Sequence, residues 1–92
     1  MKKCLKITFT TNNPGAFLHN FIQQNARSLS VEGTAQISGG DSVTIMACGL
    51  KNNIDVFLDI IHQGFESYKP ENIYVEPFLK EKDYRGIFRI IE

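Results

Sequence analysis

The residues of this sequence able to do chemistry are few and scattered. The stretch Asn12-Asn13-Pro14-Gly15-Ala16 leads into a helical pattern, with His19 one turn further on. A helix start offers unpaired backbone N–H groups and the positive end of the helix dipole, both suited to an anion. Gly15 would let a phosphate approach the backbone closely. Every β-α connection has something of this character, so the stretch also reads as an ordinary loop. His19 could lean toward it and bring a switchable positive charge, or it could be a plain surface histidine. His62 falls near the end of a second helical pattern, where a cation suits the dipole. The two histidines share no metal-ligand spacing, and no Cys, Asp or Glu completes a zinc pattern. No metal and no cofactor are expected.

Cys4 and Cys48 are the two cysteines. They form no C-x-x-C, and no nucleophile pattern such as G-x-S-x-G is present. Cys4 opens one strand pattern and Cys48 closes another, both on the polar parity. If those strands are antiparallel neighbours the thiols could approach each other and a disulfide is conceivable. A small secreted domain usually carries a denser cysteine framework, so reduced thiols in a cytoplasmic protein are expected.

The elements that must position these residues follow from periodicity. Leu5, Ile7 and Phe9 alternate with Cys4, Lys6 and Thr8 over a strand at 3–9. Asn13 and Pro14 read as N-cap and first-turn proline. From Ala16 the stripe Phe17, Leu18, Phe21, Ile22, Ala26 and Leu29 is helical. Val31 to Ser38 reads as a strand weakened by Gly33, Gly39-Gly40-Asp41 as a hairpin loop, and Val43 to Cys48 as a strand that Gly49 ends. Asn52 or Asn53 caps a second helix with the stripe Ile54, Phe57, Leu58 and Ile61, stopped by Gly64. Residues 65–71 connect to a strand at 72–78. Lys80 to Tyr84 reads as a charged turn, and Gly86 to Ile91 as a last strand.

The order β-α-β-β-α-β with an added strand is the ferredoxin-like pattern. The expected fold is an α+β sandwich: an antiparallel sheet of four to five strands with two helices on one face, as a single domain over residues 1–92. At 92 residues there is room for one core, since domains usually run to roughly 100–200 residues. Ten Lys+Arg balance ten Asp+Glu, which argues against nucleic acid and against a charged membrane surface. The outward residues of the two central strands, Cys4, Lys6, Thr8, Thr44, Met46 and Cys48, include no aromatic for stacking RNA bases. No apolar run reaches membrane-span length.

The chain resembles the acylphosphatase family over essentially its whole length. The family loop V-Q-G-V-x-F-R is matched by Asn13-Pro14-Gly15-Ala16-Phe17-Leu18-His19, with the glycine and an aromatic present. The family G-W-V-x-N is matched by Gly33-Thr34-Ala35-Gln36-Ile37 without a gap. Ala47-Cys48-Gly49-Leu50 resembles the stretch before the family's second helix, and Gly86-Ile87-Phe88-Arg89-Ile90-Ile91 resembles its F-x-I-R-Y ending. The resemblance implies hydrolysis of an acyl phosphate to carboxylate and phosphate, without a metal. The loop residues Asn13, Gly15, Ala16, Phe17, Leu18 and His19 would hold the phosphate.

In the family an arginine binds that phosphate and an asparagine positions the attacking water. Those two positions are His19 and Ile37 here, and Pro14 replaces the family glutamine. An imidazole offers no bidentate fork, and an isoleucine cannot hydrogen-bond a water. The resemblance therefore implies an acylphosphatase-like protein with lost or very weak activity. The alternative is a non-enzymatic anion-binding or protein-interaction module on the same fold. A small phosphate-bearing or other anionic ligand is the expected partner, and a monomer the expected state.

Overall fold

Strict alternation of apolar residues makes strands with one buried face, and the computed structural model, which describes residues 1–64, 68–79 and 84–91, turns that face inward along residues 2–10, 32–38 and 42–50. The strands are β1 (Lys2–Thr10), β2 (Glu32–Ser38), β3 (Ser42–Leu50), β4 (Glu71–Pro77) and β5 (Phe88–Ile91). They form one sheet in the order β4-β1-β3-β2-β5. Leu5, Ile7, Phe9, Ala35, Val43, Ile45 and Ala47 point to the helices and are buried. Phe17, Leu18, Ile22 and Ala26 of the first helix and Ile54, Phe57 and Ile61 of the second complete the same core, and Phe21, Leu29 and Leu58 pack half-buried at its rim.

The sheet departs from the expected antiparallel one in a single pairing. β1–β3, β1–β4 and β2–β3 are antiparallel, but β5 runs parallel to β2. β4 and β5 lie on opposite edges and run in opposite directions, so the chain leaves β4 at the end of the sheet where β5 begins. That is also the end where β2 begins. Residues 65–67 of the expected connection and 80–83 of the expected charged turn lie outside the described residues.

Local boundaries moved for physical reasons. The second helix (Lys51–Gln63) starts before Asn52 and Asn53, with Leu50 as an extended N-cap that makes no side-chain bond. Its first N–H is satisfied instead by Met1, whose carbonyl accepts from Lys51 N–H at 2.9 Å. Gly49 does not end β3, because pairing with β1 continues through Lys3–Gly49 and Lys2–Leu50. Gly64 does stop the helix, at φ 74°. Gly33 does not weaken β2 but permits it. Its φ is 143°, and a Cβ there would overlap the Met46 carbonyl of β3.

The first helix covers residues 14–28 in three pieces: α-helical Pro14–Phe17, a wider π turn at Leu18–Ile22, and α-helical Gln23–Ser28. In the π turn Gln23 N–H donates to Leu18 O, five residues back. On the face away from the helices, Cys4 and Cys48 are direct partners across β1–β3, their Cα atoms 4.2 Å apart, and a disulfide joins them. No described helix is long and apolar enough to cross a membrane.

Candidate functional site

The loop between β1 and the first helix is fixed from both sides. Thr11 is buried, and its N–H donates to Asp41 O at 3.0 Å. That bond ties the loop to the tip of the β2–β3 hairpin. Thr11 Oγ1 donates to Asn12 Oδ1 at 3.4 Å. Asn13 then caps the helix as its sequence suggests: its Oδ1 accepts from Ala16 N–H at 3.4 Å, and its carbonyl accepts from Phe17 N–H at 3.1 Å. Pro14 has no N–H at all. So two donors of this first turn already have partners in the chain, and a third position lacks a donor.

Gly15 faces open space. A Cβ at this position would meet no atom within 4 Å, and its backbone is not in the left-handed region. Nothing in the fold therefore requires glycine here, unlike Gly33. Ala16 is half-buried beside it, whereas Phe17 and Leu18 turn fully into the core. The Phe17 ring meets Phe9 edge-on, with centroids 5.9 Å apart, and stacks with Phe21 at 5.4 Å. The backbone donors of Phe17 and Leu18 are engaged as well: Phe17 N–H donates to Asn13 O, and Leu18 N–H to Gly15 O and Pro14 O. His19 is exposed at the start of the π turn.

Ile37 lies at the same end of the sheet as the loop. It pairs with Val43, which pairs with Phe9, so these three form the row next to the end at which the loop and the hairpin sit. Its parity is that of Gly33 and Ala35, and it packs half-buried against the core. The fold thus brings the Gly15 loop, the first turns of the first helix and Ile37 to one end of the sandwich. His62 stands apart from them; its Nδ1–H donates to Leu58 O at 2.9 Å within its own helix.

Thr11 and Asp41, which clamp the loop, escaped the sequence reading. A buried threonine in a polar stretch breaks no periodicity and leaves no signal. What this end brings together is a helix start, an exposed imidazole on the first helix and, at Ile37, an apolar side chain packed on the core. Two shallow surface depressions lie elsewhere, one at Arg27, Ser30 and Gly86–Phe88, the other at Met1 and Leu50–Asn53.

Solved structures share this architecture. An acylphosphatase from Bacillus subtilis superposes with a TM-score of 0.84 at 21% identity, covering 100% of both chains. An acylphosphatase from Coxiella burnetii gives 0.83 at 20% identity, covering 98% of this chain and 93% of the other. Full-length HypF, in a phosphate- and nucleotide-bound form, gives 0.79 at 20% identity, with this chain covering 12% of it. At such identities these likenesses establish the fold. The comparison with curated protein sequences returned no match. The family model for acylphosphatase matches residues 14–90, from Pro14 and Gly15 through both helices, β2 to β4 and most of β5. On that match the chain belongs to the acylphosphatase family.

Proposed function

We propose that this domain is a catalytically degenerate acylphosphatase homologue, in which the family's phosphate loop persists without the groups that drive hydrolysis. Ile37 carries the reading. At the family's water-positioning asparagine it presents a hydrocarbon side chain that packs on the core, and no rotamer of isoleucine can orient a water. His19 supports it, since an imidazole cannot replace the two parallel donors of a guanidinium facing a phosphoryl group. The loop adds to this, with Pro14 lacking a donor and Asn13 occupying two others.

The test is hydrolysis of acetyl phosphate by wild type, His19→Arg, Ile37→Asn and the double variant. Loss of one electrostatic donor commonly costs about 10²–10³ in rate, and groups that act together are non-additive. Wild type should run near background, the double variant should hydrolyse measurably, and either single variant should do far less. Wild-type turnover within about tenfold of the double variant would refute degeneracy. A phosphate titration of wild type, followed through the amide signals of Gly15 and Ala16, separates a surviving anion-binding loop from a module that uses only the fold.

A further inference from the structure

We propose that the Cys4–Cys48 bridge is a reversible thiol switch, entered at Cys4, that sets how firmly the domain is held together. The bridge joins β1 and β3, neighbouring inner strands, on the sheet face that the helices leave uncovered. Its two sulfurs are not equivalent. Cys48 is only 3% exposed, while Cys4 is half-buried. Lys6, two residues from Cys4 on the same face, is engaged by Glu76 at 3.7 Å, so exposure and not charge sets the point of attack. An incoming thiolate therefore reaches Cys4 sooner than Cys48.

The reductant is a dithiol, small or protein-borne. One of its thiolates attacks Cys4 Sγ, forming a mixed disulfide. The Cys4–Cys48 bond breaks with its electron pair on Cys48 Sγ, which takes a proton. The second thiolate of the reductant attacks its own sulfur in the mixed disulfide, and Cys4 leaves and is protonated. Two electrons and two protons reach the protein, and the dithiol becomes a disulfide. A small-molecule disulfide oxidant runs the sequence backward.

Reversibility follows from the ladder. β1 and β3 pair from Lys2–Leu50 to Thr10–Ser42 without a register shift. Reduction leaves the two cysteines facing each other, so the bond re-forms without a search. What changes is the constraint on the unfolded chain, because the bridge spans 44 residues of sequence.

Thermal melting in oxidised and reduced glutathione, with and without a dithiol, tests the effect. The oxidised protein should melt about 10–20 °C above the reduced one. Cys4→Ser/Cys48→Ser should melt with reduced wild type in every buffer. Reduced wild type supplies the comparison even if that variant folds poorly. Entry at Cys4 is tested with oxidised glutathione on the single variants: Cys48→Ser should form the mixed disulfide at least about tenfold faster than Cys4→Ser, read by mass spectrometry. Thiols that stay free under oxidising buffer, equal melting of the two states, or equal reaction of the single variants would each overturn the proposal.

Discussion

Gly33 and Ile37 stand four residues apart on the same face of β2, and the fold makes opposite demands of them. Gly33 must have no side chain, because its backbone lies at φ 143° against the Met46 carbonyl. Gly33→Ala should cost about 3 kcal/mol or more, or prevent folding, when measured by urea denaturation. A loss below about 1 kcal/mol would show that β2 and β3 can part without penalty. Ile37 must be apolar for stability, since it packs on the core. An asparagine there strands a carboxamide at the apolar rim, so the double variant of the hydrolysis test has to be checked for folding first. The parity of β2 made the side of Ile37 legible in the sequence. The obligation on Gly33 was not legible: the hairpin loop sets β3 beside β2, but the local backbone twist that brings the Met46 carbonyl against Gly33 leaves no trace in residue types.

The first helix carries a regular apolar stripe, and its π turn was invisible to that reading because Leu18, Ile22 and Ala26 stay inward through the wider turn. Its start was legible, since Asn13 and Pro14 are a cap and a first-turn proline by residue type alone. The start also permits a clean separation of stability from ligand contact. Gly15 has helical neighbours on its C-terminal side, open space around it and no need of positive φ. Gly15→Ala should therefore stabilise the domain by about 0.5–1 kcal/mol. If the loop holds phosphate, the same methyl should weaken that binding, so a thermal melt and a phosphate titration move in opposite directions. A destabilised Gly15→Ala protein would show that the loop is strained around its glycine. The second helix was legible in its stripe and its stop, but its start depended on Met1, fifty residues away in sequence.

Across the whole molecule, an ion cluster fastens the start of β1 to the second helix. Lys3 Nζ and Lys51 Nζ reach the two oxygens of Asp55 at 3.0 and 2.8 Å. The hydrogen bonds from Lys51 and then Lys3 lower the Asp55 pKa from its ordinary value. The unfolded chain therefore takes up this proton before the folded one as pH falls. The contribution is fully present above the ordinary carboxylate range and disappears as pH drops below it through the folded value. Asp55→Asn should flatten the acid limb of stability against pH, and added salt should shrink the difference, because the cluster is partly exposed. Denaturation midpoints between pH 2 and 7 check both; an unchanged acid limb in Asp55→Asn would remove the cluster from the account. At this scale the sandwich was legible, and the parallel placement of β5 was not, because it depends on which edge the chain crosses to after β4.

The strand order also has a consequence in time. The three inner strands all lie within the first 50 residues, and both edges come from residue 71 onward. The β2–β3 hairpin closes over three residues, between Ser38 and Ser42, so it forms at little loop-closure cost. β1 must then be recruited across the whole first helix, and β4 and β5 can dock only on edges that already exist. Contacts of long sequence separation are slow to form. Val43→Ala, at the meeting of hairpin and β1, should slow refolding nearly in proportion to its loss of stability. Ile90→Val on β5 should instead speed unfolding and leave the refolding rate almost unchanged. Stopped-flow refolding of the two variants decides the order, and a slowed refolding of the β5 variant would place that edge in the nucleus.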